Sequence, residues 1–196
     1  MVSSVLWAAA YCFWAQLFWH RYLKTEGLTR LPALLLFVQC SVLAFFFIVR
    51  RPSSDISWKP FDILSSFFGV AWPLFFVPLA HPSHDTYAIL IQAAGLIFTI
   101  VALLSLNRAF GVLPANRGIQ TGGMYRVVRH PLYASYQIAN LGFLLNNGSL
   151  YNAVIFFASL AAQILRVLSE ERLLSRDADY AAYMKKVRWR LLPFVF

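Results

Sequence analysis

Acidic side chains are scarce in this chain: eight Asp and Glu among 196 residues. Charged residues of both signs reach only 13%, while 60% of the chain is hydrophobic. A soluble domain of this size cannot hide so much apolar surface, which excludes the soluble globular class. Cysteine is nearly missing as well. Cys12 and Cys40 each lie inside an apolar run and read as small buried hydrophobes. Metal ligands are equally thin. His81, His84 and Asp85 share one short turn, which is too few for a credible site, so no metal is expected. The first 23 residues lack both a basic start and a small-residue cleavage site, so they read as a retained helix and not as a signal peptide.

What the chain has instead is apolar length. Residues 31–49, 62–80, 86–106 and 150–168 are each long enough to span a bilayer, and 5–23 and 132–147 add two less regular candidates. The expectation is an all-α integral membrane protein, a bundle of five to six transmembrane helices in one compact unit. Residues 1–85 form N-terminal helices, and 86–196 form a second region with a polar loop and a tail. With six spans and a cytoplasmic N-terminus, most of the 17 basic residues fall on one side, among them Arg50, Arg51, Arg108, Arg117, Arg126, Arg129 and Lys185. This is a positive-inside pattern. Basic residues beside a bilayer are accounted for by anionic headgroups, so nucleic acid is not needed as a partner. The tail from Lys185 to Phe196, with Trp189 and Phe194, reads as an interfacial segment.

One stretch departs from all this: Asn116 to Tyr133, polar, basic and glycine-containing, set between apolar runs. Irregular charged backbone is tolerated in a membrane protein only where it is buried in protein or lines a wet cavity. The stretch ends at Arg129-His130-Pro131. Proline suits the first position of a helix, and the N–H groups before it can hold an anionic or electron-rich group. His130 is placed to hydrogen-bond a ligand or to accept a proton near neutral pH. On the helix that follows, Tyr133, Tyr136, Gln137 and Asn140 make one polar stripe, read as interhelical hydrogen bonding or as ligand contact. On the last span Arg166 and Glu170 share a face, as a functional pair or as a helix-end ion pair. Glu171 points about 100° away and reads as meeting solvent or Arg172. Prolines 73 and 78 fall within the third span, where they can kink it.

Gly123-Met124-Tyr125-Arg126-Val127-Val128-Arg129-His130-Pro131-Leu132-Tyr133 resembles the G-x-Y-x-x-x-R-H-P-x-Y signature of the isoprenylcysteine carboxyl methyltransferase family, itself related to the phospholipid N-methyltransferases. Arg166-x-x-x-Glu170, Leu174, Tyr180-Ala181-Ala182-Tyr183 and Pro193 continue the likeness. It covers roughly residues 86–196. Where that family often has Phe-Gly before Tyr-x-x-Tyr, this chain has Arg176-Asp177-Ala178-Asp179.

The resemblance implies an S-adenosyl-L-methionine-dependent methyltransferase without a Rossmann domain; the economy of length suggests a small member of bacterial or archaeal inner-membrane type, and the basic residues put termini and active site on the cytoplasmic side. It implies a cofactor pocket at Arg117, Gly118, Ile119, Gln120, Tyr125, His130, Pro131, Leu132, Tyr133 and Glu170. Arg166 and His130 would be catalytic, and Arg166, Tyr136, Gln137 and Asn140 would meet a lipophilic acceptor entering from the membrane. A carboxylate and aromatic faces suit a sulfonium. A carboxylate acceptor needs no base and suits an arginine fork, whereas an amine acceptor needs a base, for which His130 is placed. A phospholipid N-methyltransferase is the nearest alternative, followed by an NADPH-dependent sterol-reductase-like enzyme and a non-catalytic membrane protein. A carrier would show internal repeats or ionisable residues at mid-bilayer, and neither is evident.

Overall fold

The computed structural model describes residues 2–53, 56–71, 75–79 and 82–195. It is all-α: α1 Val2–Lys24, α2 Arg30–Val49, α3 Pro60–Ala71, α4 Thr86–Leu106, α5 Pro131–Asn146, α6 Leu150–Leu174 and α7 Ala178–Lys186. Among the described residues the only bridge of β type is an isolated one between Ile56 and Ala115.

Three helical segments, Gly27–Val49, Thr86–Ala109 and Leu150–Leu174, are long and apolar enough to cross a membrane. Their outer faces carry exposed Ile48, Ile97, Phe98, Val101, Leu104, Val154, Phe157 and Leu165. In water such a surface would drive association; in a bilayer it is solvated by lipid tails. Helix α1 is 23 residues long and α5 is 16.

The third expected span takes a different form. Helix α3 covers only 12 residues, and Phe76–Leu79, with Pro78 in it, is not helical. Pro73 and His81 lie outside the described residues. The non-helical backbone finds its partners in asparagine side chains. Val77 N–H donates to Asn152 Oδ1 at 3.0 Å and Val77 C=O accepts from Asn152 Nδ2 at 2.9 Å. Leu79 N–H donates to Asn147 Oδ1 at 3.0 Å. Two asparagines therefore supply what a helical ladder would have supplied, which is the condition for irregular backbone at such a place.

Helices α4 and α5 pack through small residues. A Cβ on Gly95 would lie 2.3 Å from the Ala139 backbone N, and one on Gly142 would lie 2.3 Å from the Gln92 backbone N. This close approach of backbones is the small-residue packing used where lipid offers no hydrophobic drive for helix association. Thr99 donates to Ser135 at 3.0 Å across the same interface. At one end of the bundle, Phe46, Phe47, Leu103, Phe110 and Leu132 form a core, against which Trp7 and Tyr11 of α1 pack. Cys40 is buried as expected, but Cys12 is exposed on the outer face of α1. Asp85 is engaged as the N-cap of α4, accepting from Ala88 N–H at 2.8 Å.

Candidate functional site

The site lies at the end of the bundle where α4 stops and α5 starts. Helix α4 ends at Asn107, whose positive φ of 53° turns the chain out of the helix. The loop then crosses the bundle and re-enters through a 3-10 turn at Gly123–Arg126. Gly123 has φ +57°, and a Cβ there would lie 2.6 Å from Ser105 Oγ. The left-handed conformation therefore favours glycine at the first position of the signature. Pro131 opens α5 as the sequence predicts.

The loop, α6 and α7 enclose a pocket with about 760 Å³ of empty space, counted out to its open mouth. Arg117, Gly118, Ile119, Gln120, Tyr125, His130, Leu132, Tyr133 and Glu170 all line it. Of the cofactor positions implied by the resemblance, Pro131 alone is absent from the wall; it is buried at the helix start. Tyr180, Tyr183, Leu174 and Arg129, together with Leu106, Phe110 and Leu113, complete the wall.

Glu170 is the carboxylate of this pocket and is held from three sides. Tyr133 donates its hydroxyl to Glu170 Oε1. Arg166 Nε lies 3.6 Å from the same oxygen, and His130 Nδ1 lies 3.9 Å from Oε2. The His130 ring stacks on Tyr133 with 8° between planes.

Arg166 stands behind this wall and does not line the pocket. It is 2% exposed. Its guanidinium sits 4.8 Å over the Tyr133 ring and donates to the Val112 carbonyl at 2.8 Å. Tyr136, Gln137 and Asn140 also lie outside the pocket wall, on the half-buried side of α5. Gln137 accepts from Ser159 of α6 at 3.2 Å, which is the interhelical bond that the stripe offered as one of its readings.

Arg117 is buried, and its Nε has no hydrogen-bond partner among the described residues. Its nearest hydrogen-bond acceptor is the Leu113 carbonyl, 3.4 Å from Nη1. Burial pushes this guanidinium below its ordinary value, and neighbouring Arg50 adds to the effect. A buried cation in that condition favours an anionic partner. Tyr180 likewise has a buried hydroxyl with no partner. Burial raises the Tyr125 and Tyr180 hydroxyls well above the ordinary value and pushes Tyr183 up to about 12. Those outside the spans thus stay neutral and offer aromatic faces.

Three expectations are corrected here. Glu171 does not meet solvent or Arg172. It is 7% exposed and sits among cations. Arg129 Nε is 2.7 Å from Oε1, His130 Nε2 is 3.2 Å from Oε1, and Arg190 Nε is 2.8 Å from Oε2. The N–H groups before Pro131 are not open to a ligand. Arg129 N–H donates to the Trp189 carbonyl at 2.9 Å, and His130 N–H donates to the Arg190 carbonyl at 2.8 Å. Finally, the tail is not simply laid on an interface. Val187 and Leu191 are buried, Leu191 against Tyr133, and Val187 accepts from Arg129 Nη1 at 3.1 Å. The tail is a brace for the loop. Burying Arg129 requires a counter-charge, and a second acidic residue next to Glu170 was the available signal in the sequence.

The turn into α7, where this chain departs from Phe-Gly, is built by Asp177. It caps α7 through Asp179 N–H at 2.9 Å and accepts from Asn116 Nδ2 of the loop at 2.8 Å. Tyr183 Oη donates to the Tyr125 carbonyl at 2.7 Å. These contacts fasten α7 over the pocket.

Residues 85–177 match the family model described as phospholipid methyltransferase. That family is related to the isoprenylcysteine carboxyl methyltransferases whose signature the loop carries. Taken with the apolar helices, the match supports a membrane methyltransferase that acts on lipid-like substrates. No curated protein matches the chain. Among the described residues no group of three or more His, Cys, Asp or Glu is placed to hold a metal.

Proposed function

We propose that the pocket binds S-adenosyl-L-methionine and that the chain transfers its methyl group to a lipid-like acceptor. The observation that supports this most directly is the make-up of one pocket: a fixed carboxylate, Glu170, among aromatic rings, with a buried and partly unsatisfied guanidinium, Arg117, in the same wall. A sulfonium suits the carboxylate and the aromatic faces; an amino-acid carboxylate suits Arg117. Bound there, the cofactor would supply an electrophilic methyl group. The protein's own part is to fix Glu170 through Tyr133 and His130, to exclude water with Leu106, Phe110 and Leu132, and to align the acceptor.

The acceptor we favour is a carboxylate of the prenylated-cysteine kind. Arg166, 3.6 Å from Glu170 and behind the Tyr133 ring, is the guanidinium that the family resemblance assigns to such a carboxylate. The family match favours a second reading, N-methylation of a phospholipid amine. In that case a proton must leave, and His130, between Glu170 and Glu171, is the group in reach. We place the pocket and both termini on the cytoplasmic face, following the distribution of basic residues.

The test uses detergent-purified protein, S-adenosylmethionine labelled in its methyl group, and prenylcysteine or phosphatidylethanolamine as acceptor. Label in the first supports the carboxylate reading, and label in the second supports the amine reading. Glu170→Gln and His130→Ala should weaken S-adenosylmethionine binding by on the order of tenfold, the size of one lost charged hydrogen bond. Arg166→Ala should lower turnover far more than affinity. Wild-type affinity in both Glu170→Gln and His130→Ala would remove the basis of the cofactor assignment.

A further inference from the structure

A second pocket opens on the opposite side of α6, between it and the segment leading into α3. It holds about 540 Å³ of space, counted out to its mouth, and is lined in part by Trp58, Lys59, Asp62, Ser169, Arg172 and Arg176. Lys59, Arg172 and Arg176 are exposed, and among the described residues none of them has a carboxylate within ion-pair distance. Deeper in, two polar atoms are unsatisfied. Ser169 is 3% exposed and its hydroxyl has no hydrogen-bond partner. Asp62 is buried; its Oδ2 accepts from the Ser57 hydroxyl, but its Oδ1 has no partner. Buried polar atoms without partners are unusual and call for an explanation.

We infer that this pocket binds the phosphate-bearing headgroup of an anionic membrane lipid. Among the described lining residues three cations outnumber one carboxylate, which favours a net negative ligand. Ser169 can donate to a phosphate oxygen, and Asp62 Oδ1 requires a donor, which a hydroxylated headgroup such as that of phosphatidylglycerol supplies. Trp58 is 69% exposed beside the pocket, as suits an aromatic residue at headgroup depth. Basic pockets between membrane helices hold such headgroups elsewhere.

The pocket is separate from the methyltransferase site but mechanically joined to it. Ser57 N–H donates to the Pro114 carbonyl at 3.0 Å, and Ser53 Oγ donates to the Asn116 carbonyl at 2.6 Å. A headgroup held between Lys59 and Arg172 would therefore clamp the segment that braces the loop at 115–120 against α6.

The test is titration of the detergent-purified protein with short-chain phosphatidylglycerol, with phosphatidylcholine and inorganic phosphate as the other arms. Native mass spectrometry serves as readout because it counts bound lipid without requiring activity. Saturable binding of phosphatidylglycerol over phosphatidylcholine supports a lipid source. Equal competition by inorganic phosphate supports the same site with a soluble phosphate as its ligand. Arg172→Gln with Arg176→Gln should weaken binding about tenfold. Lys185→Gln with Lys186→Gln, which removes equal charge from α7, should leave it nearly unchanged. Ser169→Ala, a small change that spares the fold, should weaken binding severalfold. Equal loss in both double variants, or no loss in Ser169→Ala together with the Arg pair, overturns the proposal.

Discussion

Two neighbouring acids on α6 carry opposite tasks, and the structure separates them by the face each occupies. Glu170 turns to the pocket, where Tyr133, His130 and Arg166 hold it. Glu171 turns to the loop and tail, where Arg129, His130 and Arg190 surround it. Removing one partner of a buried ion pair leaves an uncompensated charge, which costs about 3–5 kcal/mol. Glu171→Ala should therefore lower the melting temperature strongly and make the tail after Lys186 sensitive to limited proteolysis. Glu170→Gln leaves buried Arg166 without its counter-charge, so it should lower both the melting temperature and ligand affinity while leaving the tail protected. Equal melting temperatures for Glu171→Ala and wild type would contradict the brace. The 100° step between the two acids was legible in the sequence. The partner of Glu171 was not, because it depends on a tail some twenty residues further on folding back beneath the loop.

At the scale of elements, α2 and α4 were legible almost to the residue, and α6 from its start, since each opens as a long apolar run that only a helix can place in lipid; α6 runs on to Leu174 through its charged last turns. The start of α5 was legible from Pro131, and the loop from its polarity. The non-helical segment Phe76–Leu79 was not. Its backbone partners are Asn147 and Asn152, about seventy residues away, and no local pattern reveals a side chain that replaces a helical ladder. The contact of α4 with α5 was also hidden, because Gly95 and Gly142 look like ordinary glycines in apolar runs. Gly142→Val forces a side chain into the Gln92 backbone and should destabilise the protein by about 1–3 kcal/mol, the usual range for overpacking. It should also reduce ligand affinity, because α5 carries His130 and Tyr133. A thermal melt in detergent, run with and without S-adenosylhomocysteine, reads both effects. An unchanged melt would mean that the two backbones do not approach as described.

For the whole molecule, the alternation of helices places the ends of α2, α4 and α6 beside the starts of α3 and α5, and the pocket opens at that end. The opposite end holds the Ser83–Asn146 contact, where Ser83 N–H donates to the Asn146 carbonyl at 3.0 Å. If basic residues set the orientation, cysteine introduced at Lys185 should be labelled by an impermeant reagent only from the cytoplasmic side, and cysteine at Ser83 only from the other. The reverse pattern would overturn the sidedness. The candidate site was legible in the sequence as a set of residue types at fixed spacings, from Gly123 to Tyr133 and from Arg166 to Tyr183. What sequence left open was which of them share a wall. The residues expected to meet the cofactor line one pocket, whereas Arg166 lies behind Tyr133, because three helices must close before any of these distances is set.

The central claim is that this pocket holds S-adenosylmethionine, and calorimetric titration with S-adenosylhomocysteine, paired with NADPH, tests it most directly. Saturable micromolar binding of S-adenosylhomocysteine, on the order of 8 kcal/mol, with no heat from NADPH, is the result the account predicts. Binding of NADPH alone, or of neither compound, would contradict it.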